Sequence, residues 1–409
     1  MRAVPPGYHP GMPRRTSPTA LLVVVGLAFF ADSILYYLIV PLLPHYAKTL
    51  GLSQMEVGVL FGVYAGALLA GTYPLGRLAD RIGRRKPFLW GLLGLGATTF
   101  LFAFSSSYPL LLVARALQGL AAAATWTTGL ALLAEGFPSE KRGQAMATVF
   151  AAANVGVLLG PPVSGFLTES LGPRSPFLLA GAIVLADAVA RVLLLGDDEP
   201  PRGERVGLRG LLADGTVRTL AGAMALGAAL WSILESTLPL HLDAVLRAGP
   251  REIGILFAVA ALTHTVTSPV LGRLSDRVGR KKVLVVGYVL AAFLVPVPAF
   301  LASKGAVGLS MAALGVTSSF VLSPVSPGLA DAVERMGSRS FGGVFSLVNI
   351  AYAVGMMGGP LVGSALVEAA GIRGALVATS VLFALYLVPL ARMGPSRRPS
   401  PSPATIPPP

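Results

Sequence analysis

The protein has 409 residues, of which 54% are hydrophobic and only 12% are charged, and its mean hydropathy is +0.72. Because soluble domains contain about 25% charged residues, this composition excludes a soluble enzyme, a secreted domain and a nucleic-acid-binding module, despite a net charge of +13. It indicates a polytopic membrane protein, and the absence of cysteine rules out disulfides, thiolate nucleophiles and cysteine-ligated zinc.

Apolar stretches long enough to cross a bilayer core of about 30 Å recur along the chain. In the first half they run at about 20–44, 57–76, 87–105, 109–134, 143–167 and 175–196. In the second half they run at about 219–242, 253–271, 283–302, 306–330, 341–366 and 372–392. We therefore predict twelve transmembrane helices joined by short connections.

Polar segments divide the chain into bundles and tails. We predict an N-terminal six-helix bundle at 19–196 and a C-terminal one at 219–392, joined by a polar linker at 197–218. Residues 1–18 form a polar tail, and residues 393–409 form a tail too rich in proline to fold. We expect no cleavable signal peptide, because the first apolar stretch is longer than a signal h-region and lacks a small-residue cleavage site.

The distribution of basic residues predicts the orientation of the chain. An even number of spans places both termini on one side. With twelve spans, the two tails, the linker and the connections after spans 2, 4, 8 and 10 all lie on that side. Together these segments contain 24 of the 32 Lys and Arg residues. Because cytoplasmic loops carry the excess of Lys and Arg, we expect the tails and linker in the cytoplasm.

The two halves of the sequence resemble each other. Three segments of the first half return in the same order, at offsets of 196, 196 and 199 residues: 56–61 at 252–257, 76–86 at 272–282, and 156–161 at 355–360. These internal repeats indicate duplication of a six-span unit, and hence an all-α fold of two pseudo-symmetric six-helix bundles. Repeated halves with a binding site at their interface are typical of alternating-access transporters.

The best-repeated segment is a basic motif after spans 2 and 8. Its two copies contain Gly76, Asp80, Arg81 and Gly83, and Gly272, Asp276, Arg277 and Gly279. We predict that both copies lie in short loops, where glycine permits a tight reversal and the basic residues anchor at the anionic membrane surface. A single copy would be explained as a topogenic loop, but two copies resemble the signature of the major facilitator superfamily, which implies the twelve-helix fold.

Two further motifs resemble those of this family. The stretch Arg115–Gly119 in span 4 is similar to a family motif whose arginine is associated with proton coupling; the alternative is a side chain that snorkels outwards at the membrane edge. In span 5, Gly156, Gly160 and Pro161 permit close helix packing. They resemble a motif typical of the family's antiporters.

Two acidic residues lie within predicted spans without an evident neutralising cation on the same helix, Asp32 in span 1 and Glu235 in span 7. A carboxylate in lipid costs a few kcal/mol, so each is expected to face a wet cavity or a partner. A buried carboxyl group that exchanges protons near neutral pH suits a proton carrier. The alternative is a structural hydrogen bond between helices. We favour roles in substrate binding and proton coupling.

Other polar and aromatic residues are weaker candidates. Asp187 is followed four residues later by Arg191, which favours a structural ion pair. His264 can titrate, although a lone histidine is more often a hydrogen-bonded core residue, and Asn349 is a candidate cavity-lining residue of span 11. Aromatic side chains that could form a wall for an organic cation, if they do not face lipid, are Tyr36, Tyr37, Tyr64 and Trp126.

The segments 31–44, 142–165 and 234–239 resemble the vesicular amine transporter branch of the twelve-span drug:proton antiporters and its bacterial multidrug-exporter relatives. The resemblance implies that Asp32 recognises the substrate amine and that Glu235 handles substrate and protons, while Asp187 matches a span-6 aspartate. The chain departs from the branch at Asn349, where an aspartate is typical, at Tyr64, where a lysine is typical, and in lacking a last-span acid. These departures favour a broader, bacterial-type exporter of amphipathic cations.

We therefore expect proton-coupled antiport of small organic, cationic or drug-like molecules by alternating access. The expected protein is a monomer in the bacterial cytoplasmic membrane, with no cofactor, metal, nucleic-acid partner or enzymatic activity. The alternative is a facilitator or proton symporter that imports a metabolite such as a sugar, which the span-5 motif and the scarcity of Asn and Gln in the spans disfavour. Two other classes are disfavoured. A membrane receptor or scaffold would need a sizeable soluble domain, an intramembrane enzyme would need paired catalytic residues or ligands, and we identify neither feature in the sequence.

Overall fold

The computed structural model describes residues 17–194, 212–335 and 341–393. Regular structure in these ranges is entirely helical. Eleven helical stretches within them are long and apolar enough to cross a membrane. Most of the predicted tails and of the predicted linker lie outside the described residues.

The first half of the chain forms seven α-helices and one short 3-10 helix. Their bounds are α1 Pro18–Tyr37, the 3-10 helix Val40–Leu42, α2 Leu43–Leu50, α3 Gln54–Ile82, α4 Arg85–Phe104, α5 Tyr108–Gly136, α6 Ser139–Leu171 and α7 Ser175–Leu194. The first span is therefore broken after Tyr37, in a stretch that contains two prolines, Pro41 and Pro44. Proline lacks the N–H that a continuous helix needs.

The second half forms six α-helices and one 3-10 helix. Their bounds are α8 Gly215–Leu246, α9 Pro250–Val278, α10 Arg280–Leu294, the 3-10 helix Val297–Phe300, α11 Lys304–Leu322, α12 Val325–Arg335 and α13 Phe341–Arg392. The backbone of Gly371 has φ 68° and ψ 170°, which divides α13 at a kink. Because the last of the eleven stretches holds two helices, the fold is consistent with the twelve predicted spans.

The placement of the basic motif in loops was wrong. Gly76, Asp80 and Arg81 lie on the last two turns of α3, and the equivalent residues of the second copy lie on α9. The helices continue past the apolar stretches because polar helical turns are stable outside the bilayer core. The tight reversals lie at Gly83 and Gly279, where φ is 86° and 99°, as the sequence predicted for these glycines.

The largest contacts between the two halves are made by two helix pairs, α3 with α13 and α6 with α9. Gly58 of α3 allows the first contact, because a Cβ there would lie 2.6 Å from the carbonyl oxygen of Pro360. Gly254 of α9 allows the second, because a Cβ there would overlap the carbonyl of Pro161. Gly58 and Gly254 are 196 residues apart, so the interface follows the internal repeat.

The end of the molecule at which α3 and α9 begin carries a second symmetric pair of contacts, and we call it the capped end. Met55 N donates to Glu368 Oε1 at 2.8 Å, and Arg251 N donates to Glu169 Oε1 at 3.4 Å. Each carboxylate comes from the opposite half and lies at the positive end of the helix it contacts. Each half of the molecule therefore caps a helix of the other.

Candidate functional site

Asp32 is a buried carboxyl group of α1, with 2% of its surface exposed. Its Oδ2 atom accepts hydrogen bonds from Trp126 Nε1 at 2.8 Å and from Tyr64 Oη at 3.3 Å. The other oxygen, Oδ1, is buried and has no hydrogen-bond partner among the described residues. Asp32 is thus held in place by two aromatic donors and keeps one acceptor atom available.

Glu235 is the corresponding buried acid of the second half, on α8, with 1% of its surface exposed. Its Oε2 atom accepts a hydrogen bond from Tyr36 Oη of the first half at 3.3 Å. Tyr37 is a second hydroxyl neighbour of the carboxylate, and Tyr352 of α13 is a neighbour of Tyr37. Glu235 Oε1 is buried without a partner in the described part of the chain.

Arg115 of α5 lies among aromatic rings in the same region, and none of its surface is exposed. Its guanidinium carbon is 5.0–5.6 Å from the centroids of four rings, those of Tyr36, Phe61, Tyr64 and Phe102. Nη1 donates to Gln118 Oε1 at 2.9 Å, whereas Nε and Nη2 have no partner among the described residues. The snorkelling alternative for Arg115 is therefore wrong.

Tyr36 and Tyr64 connect these three charged groups. Each tyrosine donates its hydroxyl to one acid and presents its ring to Arg115, and the two ring centroids are 4.7 Å apart. We call Asp32, Tyr36, Tyr64, Arg115 and Glu235 the carboxylate–aromatic cluster. Carboxylates and aromatic faces both attract organic cations, so this arrangement can recognise a positively charged substrate.

The structure brings the aromatic candidates together beside the acids. Tyr37 packs edge-on against Tyr36 with 4.9 Å between centroids, and Trp126 stacks on Phe29 at 4.0 Å. Sequence reasoning missed Phe61, Phe102, Gln118 and Tyr352. Helical spacing was a usable signal for two of them, because Phe61 precedes Tyr64 by three residues and Gln118 follows Arg115 by three.

Asp187 and Arg191 form the ion pair that their spacing favoured. Both side chains are fully buried, with Nη2 to Oδ2 at 2.6 Å and Nε to Oδ1 at 3.0 Å. Arg191 also donates to the carbonyl of Phe88 and lies 3.9 Å from that ring's centroid. These contacts fix α7 against α4, which fits a structural role.

His264 and Asn349 lie in the second half. His264 Nδ1 is 3.0 Å from Ser319 Oγ, which is 2.8 Å from Thr267 Oγ1. His264 thus belongs to a hydrogen-bonded seam between α9 and α11. Asn349 is half-buried on α13.

The basic motif forms two equivalent ionic groups. In each group, one arginine pairs with the aspartate four residues before it and with an acid of a neighbouring helix. The nitrogen–oxygen distances are 3.8 Å for Asp80–Arg84, 2.6 Å for Arg84–Glu135, 3.4 Å for Asp276–Arg280 and 2.6 Å for Arg280–Asp331. Every residue of the second group follows its counterpart by 196 positions. Arg81 and Arg277 are exposed. Glu135 and Asp331 were not identified from the sequence, because neither lies near the motif in the chain.

The span-5 motif packs α6 against α1 close to the cluster. A Cβ on Gly156 would lie 2.7 Å from the carbonyl oxygen of Phe30, and one on Gly160 would lie 2.8 Å from the Cβ of Tyr37. These two glycines therefore set how near α6 comes to the helix that carries Asp32.

Comparisons with known proteins agree with this architecture. The Major Facilitator Superfamily profile matches residues 25–222 and 220–408. The chain is 29% identical to the chromaffin granule amine transporter of Homo sapiens over 335 residues, which are 81% of the chain and 64% of that transporter. It is 30% identical to the probable vesicular acetylcholine transporter-B of Danio rerio over 367 residues, which are 86% and 74% of the two chains. The chain spans less than two thirds of the length of the amine transporters that it matches.

Solved structures with the same fold share little sequence with the chain. A bacterial homologue of the human lysosomal transporter Spinster, inward-facing and unoccupied, has a TM-score of 0.77 at 18% identity and covers 91% of this chain and 96% of its own. The nucleoside transporter NupG has a TM-score of 0.71 at 15% identity, with coverage of 91% and 98%. At these identities the likeness establishes the fold alone.

Proposed function

The chain belongs to the Major Facilitator Superfamily and is a multi-pass membrane transporter rather than an enzyme, and we propose that it exchanges small organic cations for protons. In this proposal the carboxylate–aromatic cluster binds the cation, and the two halves alternate in their access to the two sides of the membrane. Its relatives that are named as amine transporters support this substrate class.

The observation that carries the proposal is the joint placement of Asp32 and Glu235. Both acids are buried, each is held by an aromatic hydroxyl or indole donor, and each keeps one unpartnered oxygen. Buried acids in a membrane protein are costly and are retained where a cation or a proton pathway needs them. An organic cation supplies the positive charge that these two carboxylates lack.

Proton coupling follows from competition at the same atoms. A cation stabilises the ionised carboxylate, and a proton on that carboxylate removes the attraction. Substrate and protons therefore displace each other, which is the thermodynamic requirement for antiport. Glu235 also bonds to Tyr36 of the other half, so its protonation state acts directly on a contact between the halves.

Orientation completes the proposal. The excess of basic residues on the side of the tails and linker supports a cytoplasmic position for that side. The capped end then faces outwards, and the ionic groups of Arg84 and Arg280 face the cytoplasm. We propose a monomeric exporter in a bacterial cytoplasmic membrane, driven by the proton gradient.

Transport by the purified protein in liposomes tests the proposal. The probe is radiolabelled phenethyltrimethylammonium, whose charge does not change with pH. An acidic lumen should drive its accumulation, an ionophore that collapses the pH gradient should abolish it, and Asp32→Asn should reduce it. Accumulation that persists without a pH gradient, or that is unaffected by Asp32→Asn, would contradict proton-coupled antiport at this site.

A further inference from the structure

Arg115 occupies a position that suits a cationic ligand. Four aromatic rings surround its guanidinium group at 5.0–5.6 Å, and the side chain is fully buried. Aromatic cages of this kind recognise ammonium groups of ligands, because each ring presents its negative face to the cation. Here the cation belongs to the chain itself.

The four rings around Arg115, which we call the cage, provide no hydrogen-bond acceptor of the kind that a permanent partner would supply. Its Nε and Nη2 atoms lack hydrogen-bond acceptors among the described residues, while Asp32 Oδ1 and Glu235 Oε1 lack donors. Leaving buried charged groups unpaired is costly. The donors and the acceptors are present in one cluster but do not meet, which is the condition expected of a site that a ligand completes.

We propose that Arg115 is a tethered occupant of a cation subsite formed by Tyr36, Phe61, Tyr64 and Phe102, and that a substrate cation binds there by displacing the guanidinium group. This inference rests on the proposed function, because it requires a cationic substrate. It assigns Arg115 the role of an internal competitor. A residue that only stabilised the charged form of the acids would act in the opposite direction.

The structure offers space for one nitrogen of the displaced guanidinium group. A cavity of about 10 Å³, the space of one water molecule, lies beside Arg115, and its other polar lining residues are Thr98, Thr99 and Gln118. Both threonine hydroxyls donate to the carbonyl of Leu95, so their lone pairs remain free to accept. Arg115 already contacts Gln118, and a small shift towards the threonines gives its unpaired N–H groups acceptors.

The two possible roles of Arg115 predict opposite effects of removing its charge. If Arg115 competes with the substrate, Arg115→Met removes the competing charge from the cage and strengthens cation binding. If Arg115 instead keeps Asp32 and Glu235 ionised, the same substitution weakens binding, because a neutral acid does not attract a cation.

Calorimetric titration of the detergent-solubilised full chain with phenethyltrimethylammonium at neutral pH, where loss of Arg115 can leave the acids protonated, decides between them. We expect Arg115→Met to increase the affinity by about tenfold, the effect of about 1.4 kcal/mol. Arg115→Lys, the matched control, keeps a cation in the cage and should bind no more tightly than the wild type. Weaker binding by Arg115→Met, or an equal gain in Arg115→Lys, would overturn the proposal.

A second variant tests the same inference without touching the cage. Thr98→Val/Thr99→Val removes the acceptors that receive the displaced guanidinium and should lower the probe's affinity several-fold, whereas unchanged affinity overturns the inference.

The wild type and Asp32→Asn separate this question from the proposed function. Absence of Asp32-dependent binding in the wild type refutes the proposed function, whereas such binding together with weakening by Arg115→Met refutes only the role of Arg115.

Discussion

Tyr36 of the first half donates a hydrogen bond to Glu235 of the second half, with 3.3 Å between Tyr36 Oη and Glu235 Oε2. The same tyrosine ring faces the guanidinium group of Arg115. The Tyr36 side chain therefore contacts both the carboxylate of Glu235 in the second half and the guanidinium group of Arg115 in the first half. Any movement that separates the halves here has to break this bond.

Removing the Tyr36 hydroxyl should therefore affect exchange more than binding. We expect Tyr36→Phe to bind the cation within a few-fold of the wild type, because Asp32 and the rings remain, but to slow pH-driven exchange in liposomes. Tyr288→Phe is the matched control, because Tyr288 Oη donates to Ala223 O within one half at 3.0 Å. Each variant loses a hydrogen bond worth about 1 kcal/mol. Equal slowing in both variants would contradict a specific role for Tyr36.

The ionic group of the basic motif should govern conformational exchange and not the pocket. Asp80 lies on the last turns of α3 and pairs with Arg84, which also binds Glu135 of α5. We expect Asp80→Asn to impair liposome transport while titration shows unchanged cation affinity. Asp276→Asn makes the equivalent change in the second half and should act in the same direction. Loss of cation binding in Asp80→Asn would show that the motif serves the pocket.

The hydrogen bonds that Glu169 and Glu368 accept from helix starts of the opposite half should stabilise closure of the capped end. Glu169→Gln/Glu368→Gln replaces both carboxylates that face the opposite half's helix starts, where a negative charge is favoured by about 0.3–1 kcal/mol per site. Because the chain has no native cysteine, closure can be followed by cross-linking Thr49→Cys to Ala244→Cys beside the Lys48–Asp243 ion pair.

We expect the double glutamine variant to cross-link more slowly than the wild type. The control is Glu56→Gln, because Glu56 caps α3 from within its own half by accepting from Ser53 N. If the control slows cross-linking as much as the double variant does, the caps act on helix stability and not on closure.

The buried pair Asp187–Arg191 should be structural. Asp187→Asn leaves an uncompensated buried guanidinium, which is expected to cost about 3–5 kcal/mol of folding free energy. The double variant Asp187→Asn/Arg191→Met removes both charges and should recover part of that loss. Thermal unfolding of the purified protein measures both effects. A double variant that is less stable than the single one would show that each residue has a separate partner.

The spans and motifs could be predicted because hydropathy and residue type are local properties. Asp32 and Glu235 were identified in this way, since a carboxyl group within an apolar stretch is conspicuous. The pairing of Tyr36 with Glu235 could not be predicted, because the two residues are 199 positions apart and meet only when the halves assemble.

Phe102 and Tyr352 were missed for a related reason. An aromatic residue in a span is unremarkable in sequence, and only the fold shows whether it faces lipid, a core or a charge. The loop position of Asp80 and Asp276 was wrong because hydropathy marks the bilayer core and not the ends of helices that extend beyond it. Glu135 and Asp331 could have been found by extending the 196-residue offset to isolated acids.

The central claim is that a cation and protons compete for Asp32 and Glu235. A cation binds the ionised carboxylate, so its affinity should fall as the pH falls, and binding should release protons. Titration of phenethyltrimethylammonium into the wild type, in buffers of different ionisation enthalpy, counts those protons directly. We predict proton release that decreases in Asp32→Asn and in Glu235→Gln, whereas release that is unchanged in both variants would contradict the account.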